Sequence, residues 1–364
     1  MKETKIVVFC ICFLIVCAIP SGIHGAIKLT DNFSFYGFIK LDAHYQDSGM
    51  NSILAPRYAK PGEGNLALTA MNSRFGFKWE APKPCKGWTI GAQLEWDLFD
   101  SASANQMKFR TRHANFTLKK GNSNFLFGQF WDLFSPLGPT TLMTNGYFWQ
   151  VGNVGFRRAQ MRYTYSSERI SFGASINDPT SAGARLTKMP ILESRLGLSF
   201  GTGKTIGVSA AYGKERNGAD TPLETDVNMM GVCLDWDLSF PPITLRGEFS
   251  TGENLANFLS RASVYENTAA LKFDGKKVNS FWGQVVYSKK CTFWVGYSFE
   301  NFTDTSQLAT MELKDVSCIF AGIRCVLCDG VSFGLEYAHF LSKYYLGTAD
   351  DKTNQVIASF IYSF

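Results

Sequence analysis

The chain has 364 residues, of which 15% are aromatic and only 18% charged, against about a quarter charged in soluble domains. A net charge of +5 with no basic tail or block excludes the electrostatic footprint of a nucleic-acid binder. Past the N-terminus no apolar run is long enough for a membrane-spanning helix, so a helical membrane protein is excluded too. A mean hydropathy of −0.06 is what strands with one greasy and one wet face average to.

Lys2, Glu3 and Lys5 precede an apolar stretch from Ile6 to Ile19, closed by Pro20, Ser21 and Gly22. That stretch is too short to cross a bilayer and carries a basic flank, so it reads as a Sec signal peptide, residues 1–25, cleaved near Gly25 or Ala26. Cys17 raises a lipoprotein alternative, but Val16 stands where that motif wants Gly or Ala. The mature chain, residues 26–364, reads as one domain. It keeps Cys85, Cys233, Cys291, Cys318, Cys325 and Cys328, which is unusual for an exported protein. Cys325 and Cys328 are spaced Cys-x-x-Cys without the second pair a zinc site needs. The spacing fits a local disulfide or two plain thiols at a strand end, and the pairing stays open.

The first strand spans about Asn32 to Tyr45, with Phe33, Phe35, Ile39, Leu41 and Ala43 opposing Ser34, Lys40, Asp42 and His44. A loop rich in Gly and Pro follows. Met71, Ser73, Phe75, Phe77 and Trp79 then oppose Asn72, Arg74, Lys78 and Glu80. The third strand has Trp88, Ile90, Ala92, Leu94, Trp96 and Leu98 against Thr89, Gln93, Glu95 and Asp97. Carboxylates are intolerable on a lipid face, so Glu95 and Asp97 must line a wet interior.

Further strands fall near Met107–Lys119, Asn124–Trp131, Arg157–Tyr165, Ile170–Asn177, Ser194–Phe200, Ile206–Gly213 and Val227–Asp237. The rest lie near Ile243–Ser250, Asn279–Ser288, Thr292–Asn301, Asp315–Val326, Val331–Phe340 and Asn354–Phe364. The fold class is therefore all-β: a transmembrane antiparallel β-barrel of sixteen strands, with short turns alternating with long outer loops. One strand breaks the pattern. Arg110 and Arg112 share parity with Phe116 and Leu118, which a bulge, a subunit contact or a misplaced boundary would explain. Trp79, Trp88, Trp96, Trp236, Trp282, Tyr287, Tyr297 and Tyr337 sit where an interfacial aromatic girdle belongs.

Two segments carry the functional reading. The third outer loop, Asp132 to Phe156, contains Pro136, Pro139 and Trp149 and is long, apolar and poor in charge. Such a loop is expected to fold inward and constrict a channel; the plainer alternative is a surface or subunit-packing loop. Arg158 and Arg162 share a strand face with Gln160, and Arg74, Arg110, Arg112, Arg195, Arg246 and Arg324 also belong to inner faces. Guanidinium groups along a narrow aqueous path favour anions and bind carboxylates bidentately. The alternative role is structural pairing with Glu95, Asp97, Glu80 or Glu248. No catalytic set, metal cluster or cofactor motif emerges: Gly203-Lys204-Thr205 reads as a turn and not a phosphate loop, and the histidines are scattered.

The last strand alternates Val356, Ala358, Phe360, Tyr362 and Phe364, and its aromatic end resembles the signal read by the barrel-assembly machinery of bacterial outer membranes. Asn72-Ser73-Arg74-Phe75-Gly76-Phe77, Arg112-His113-Ala114, Gly128-Gln129-Phe130-Trp131 and Arg157 to Tyr163 resemble, in order, landmarks of the DcaP-like outer-membrane porins, as does Gly37 to Asp42. The resemblance spans nearly the whole mature chain. It implies a homotrimer in outer-membrane lipid admitting small anionic solutes such as dicarboxylates, with Arg74, Arg112, Arg158 and Arg162 as lumen arginines. Ala159 where Pro is usual, Phe130 in place of a small polar residue, and the cysteines depart from that pattern. Two other classes remain to be separated from a porin. One is a lipid hydrolase with His339 as base; the other is a surface barrel whose loops bind partners.

Overall fold

A computed structural model describes residues 27–100, 106–179, 189–217, 225–267, 270, 272–347 and 349–364; the signal peptide read over residues 1–25 lies outside them. Sixteen strands form the barrel: β1 Phe33–Met50, β2 Arg74–Glu80, β3 Thr89–Asp97, β4 Arg110–Lys120, β5 Ser123–Trp131, β6 Arg157–Ser166, β7 Ile170–Asn177 and β8 Ile191–Ser199. The second half comprises β9 Lys204–Asn217, β10 Thr225–Phe240, β11 Ile243–Glu253, β12 Lys277–Ser288, β13 Cys291–Phe302, β14 Leu313–Cys328, β15 Val331–Tyr344 and β16 Asp351–Ser363. Each is antiparallel to its neighbour, and β16 returns to pair with β1 from Phe38↔Ser363 to Gln46↔Gln355. Phe364 and Gly37 exchange backbone hydrogen bonds of 3.0 Å at the seam, where the Phe364 ring stacks on Phe35.

Alternation does what a two-sided strand requires. Ile39 and Leu41 are about half exposed on the outer face, while Lys40, Asp42 and His44 are buried inside. The same division holds across β10, where Val232 and Leu234 face out and Cys233 and Asp235 face in. The closed ladder pairs each strand with a neighbour on both sides, as an apolar surround demands.

The parity conflict in β4 resolves as a bulge. Glu95 pairs with His113 and Trp96 with Thr111, leaving Arg112 as the extra residue. One inserted residue flips the faces, so Arg110 and Arg112 both point inward while Phe116 points out. Beside it, Gly128 on β5 adopts φ +119°, and a Cβ there would lie 2.2 Å from the Ala114 carbonyl oxygen.

Four expectations change. The second strand begins at Arg74: Met71 and Ser73 belong to a buried kink, with Met71 packed among Leu54, Ala55 and Phe99 instead of facing out. The Gly/Pro-rich loop after β1 contains a strand, Ala59–Thr69, that extends the hairpin by pairing with Asp42 to Met50. Its Gly and Pro content hid a Leu66/Leu68 alternation. Trp282 is not a girdle residue, for it is fully buried inside and donates to Glu248. Finally, Cys325 is bridged to Cys291 on the adjacent strand, while Cys328 is a buried free thiol. Cross-strand neighbours bring Cα atoms within disulfide range, here 4.2 Å, in a way that Cys-x-x-Cys along one strand does not.

Two outcomes test this wall. Non-reducing digestion followed by mass spectrometry should yield one peptide pair joined through Cys291 and Cys325, with Cys328 alkylated only after unfolding. Gly128→Val should lower stability by about 2 kcal/mol or more through forced positive φ and backbone clash, measured as a shifted denaturant midpoint. Gly138→Ala, where the nearest atoms are 3.8 Å away, should leave the midpoint unchanged.

Candidate functional site: the lumen constriction

The third outer loop, L3 (residues 132–156), leaves the wall at Trp131 and returns at Arg157. Its neck is tied by Asp132 N–H to the Phe156 carbonyl (2.9 Å) and by Phe156 N–H to the Asp132 carboxylate (3.0 Å). Between these ends the chain enters the barrel. Phe134, Phe148 and Val151 are fully buried and Leu142 and Met143 nearly so, which an outward loop could not achieve.

L3 meets successive strands around the inner wall, and glutamates hold it. Glu193 on β8 accepts from Leu133 N–H (2.6 Å) and Phe134 N–H (3.2 Å). Glu248 on β11 accepts from the Ser135 hydroxyl, Leu137 N–H (2.7 Å) and Trp282 Nε1–H (2.9 Å). Gln284 on β12 accepts from Thr140 N–H. Glu336 on β15 accepts from the Thr141 hydroxyl (2.7 Å), Leu142 N–H (3.0 Å) and Trp294 Nε1–H (2.9 Å). Lys40 on β1 donates to the Leu142 carbonyl at 2.6 Å. A loop cut off from water has to satisfy its backbone somewhere, and a carboxylate with several convergent donors does so at about 1.5–3 kcal/mol per charged hydrogen bond.

The return leg is equally close. Phe148 stacks on Phe320 at 4.2 Å. Gly152 (φ +124°) lies flush against β12 and β13, where a Cβ would fall 2.0 Å from the Phe281 carbonyl oxygen and only Gly fits. A second segment, residues 254–262, also folds inward and braces L3. Leu255 and Phe258 are fully buried. Gln150 and Gly155 donate to the carbonyls of Leu259 and Phe258, and Phe258 packs on Phe134.

The arginines fall into two groups. Arg158 lies at the L3 neck, 4% exposed, with Nε and Nη2 each 2.9 Å from Asp132 and Nη2 also donating to the Asn257 carbonyl. Arg162 shares its face, bonded to Gln160 Oε1 (2.8 Å) and the Trp131 carbonyl. The other group gathers where the L3 tip meets β2 to β4. Arg112 reaches Glu95 (2.7 Å) and Asp97 (2.9 Å), Arg110 reaches Asp97 (2.6 Å) and the Asn145 side chain of L3, and Arg74 lies 3.7 Å from Glu95.

Into this second group projects Arg157, which no sequence feature had separated from its neighbours. It is buried, lies over the Trp131 ring at 4.5 Å and the Phe156 ring at 5.3 Å, and makes no ion pair among the described residues. Its Nε and Nη1 have no hydrogen-bond partner; nor do Arg74 Nε and Arg112 Nη2. Trp131, Tyr147, Trp149 and Phe156 stand ring to ring beside it, at centroid distances of 5.6 to 6.5 Å. Four guanidiniums therefore share two carboxylates, Glu95 and Asp97.

The remaining expected residues are also placed. Pro139 is buried and Pro136 half-buried along L3, and Trp149 is buried within its return leg. Arg195 and Arg246 pair with Asp235 and Asp237 on β10, not with Glu248 or Glu80. Phe360 packs on Phe333, and Tyr362 lies on the exposed outer face. His339 faces Asn354, with Nδ1 2.8 Å from Oδ1. The pinning residues Glu193, Glu336 and Lys40 were not singled out: their inward parity was readable, but their partners are loop amides distant in sequence.

No protein-family model matches the chain, and no curated protein matches it. Solved structures do. The outer membrane channel DcaP of Acinetobacter baumannii superimposes with a TM-score of 0.79 at 18% identity, over 95% of this chain and 100% of that one. An anion-selective porin from Comamonas acidovorans gives 0.63 at 14% identity, over 91% and 99%. Salmonella typhi OmpF, in a complex with daunomycin, gives 0.64 at 14% identity, over 93% and 100%. The architecture of this chain is that of the outer-membrane porins, and of the DcaP type.

Proposed function

We propose that the chain is a bacterial outer-membrane porin through which small hydrophilic solutes diffuse, with anions such as dicarboxylates preferred, and that it works as a homotrimer delivered by a signal peptide and the barrel-assembly machinery. The observation that carries the preference is the guanidinium excess at the L3 tip. Arg74, Arg110, Arg112 and Arg157 confront only Glu95 and Asp97, and several of their N–H groups are unbonded. The uncompensated positive charge attracts a carboxylate passing this point and repels a cation, which lowers the anion's barrier relative to the cation's. The outer face, with Ile39, Leu41, Val232 and Leu234 exposed, suits lipid. The C. acidovorans porin is itself anion selective.

In this reading the cations that set the field on the solute are Arg74, Arg110, Arg112 and Arg157, while Arg158 and Arg162 hold the loop that shapes the path. Solute reaches the short-turn end through open space there, of which one cavity of about 430 Å³ is lined by Lys78, Glu80, Gln93, Asn115 and Thr117. An adhesive role for the outer loops is compatible with a channel but has no observation of its own, and among the described residues His339 is hydrogen-bonded to Asn354 and to no serine.

Reversal potentials in planar bilayers under a salt gradient test the preference. The wild-type protein should conduct in steps and favour chloride over potassium. Arg157→Gln should reduce that ratio about tenfold, since one unit charge ~6 Å from the path in a water-like dielectric acts on anion and cation by ~0.7 kcal/mol each, in opposite directions. A silent barrel, or a cation-selective one, overturns the reading. Glu336→Ala, which deletes the acceptor for Thr141, Leu142 and Trp294, should cost L3 about 2–4 kcal/mol of anchoring. Recordings should then show larger or flickering conductance, with Glu336→Gln intermediate.

A further inference from the structure

We propose that the wall beneath L3 carries a second solute site, at the short-turn end of the lumen, that takes an uncharged polyhydroxylated molecule of about hexose size. It goes beyond the anion-preferring constriction and rests on the channel reading only for how solute arrives.

The site is a cavity of about 380 Å³ on β9, β10 and β11, within the range of roughly 300–1,000 Å³ occupied by small-molecule pockets. Strand register fixes its lining. Thr205, Asp237 and Arg246 are direct cross-strand neighbours on one rung, and Ser239 and Thr244 face each other one inward step closer to the turn. Thr140 of L3 forms the roof, held there by its N–H bond to Gln284. Opposed side chains on neighbouring strands stand about 5 Å apart, so these groups present a grid of donors and acceptors and not a single point contact.

Charge decides the class of solute. Arg246 is paired with Asp237, Arg195 with Asp235 on the next rung, and Glu248 is spent on L3 amides. This wall is electrically balanced, unlike the wall at Arg157, so an anion finds no net attraction here. Hydroxyl groups do find partners. The Asp237 carboxylate can accept from hydroxyls, the part-exposed Arg246 guanidinium can donate to hydroxyl or ring oxygens, and three threonines and a serine serve as donor or acceptor. Both members of the Arg246–Asp237 pair keep over a quarter of their side-chain surface exposed, so the pair is accessible to a solute.

Saturation-transfer NMR on the full chain in detergent, with glucose and gluconate as probes, reads binding without requiring conduction. Glucose blocking of single-channel current, added to either side, reads the same site in the channel. Glucose should show saturable transfer and should block with a higher on-rate from the short-turn side. Asp237→Asn and the conservative Thr244→Val should each weaken apparent affinity about five- to tenfold, and Thr244→Val, which changes no charge, should leave chloride-over-potassium selectivity unchanged. Absence of saturable glucose transfer, or equal transfer in both variants, overturns the site while conduction upholds the channel reading. Tighter binding of gluconate, lost in the same variants, also overturns it by making this an anion site. A barrel that binds glucose but never conducts supports the site and sinks the channel reading instead.

Discussion

Backbone hydrogen bonding in an apolar surround is the constraint on which everything else rests. A strand at an open edge would leave a row of N–H and C=O groups facing hydrocarbon, at several kcal/mol for each group. The pairing of β16 with β1 removes that edge. Once the ladder is closed, side-chain parity is no longer free. Each residue belongs either to the outside or to the lumen, and one inserted residue, Arg112, is enough to move two arginines to the wet side.

The lumen repeats the same accounting with charges. The inward-facing acids and arginines could pair in many ways, yet they divide their labour. Arg195 and Arg246 are neutralised rung by rung by β10 aspartates, whereas Glu193, Glu248 and Glu336 are paired with peptide N–H groups of L3. Using carboxylates to hold a loop leaves fewer of them to neutralise guanidiniums. The surplus appears where the loop tip ends, at Arg157. A buried cation resting on the Trp131 and Phe156 faces retains some compensation from the rings, but its charge has no ion-pair partner among the described residues.

How much of this the sequence carried depends on the range of each interaction. Strand existence and facing come from neighbours two residues apart, so Glu95, Asp97, Arg158 and Arg162 could be assigned inward from alternation alone. L3 could be marked as inward because its composition suits burial. What it touches was not legible: Leu142 and Glu336 are 194 residues apart, and nothing local to either encodes the contact. Lumen-facing Trp282 looks like a girdle residue for the same reason, since its distinguishing feature is Glu248 on another strand. The disulfide was hidden by a nearer decoy, Cys328, three positions from Cys325 along one strand. The inward turn Leu255–Phe258 is too short to show periodicity in the sequence.

The acceptors that seat L3 have a temporal implication. Glu193, Glu248 and Glu336 all come later in the chain than the segment they anchor, and the last of them lies on the penultimate strand. Contacts across such sequence separations form late, after most of the chain-closure entropy has been overcome. The wall must therefore be nearly complete before the segment inside it can take its last acceptor, Glu336. During biogenesis the cylinder would pass through a wider-bored stage, and its final calibre is set by the closing steps of assembly.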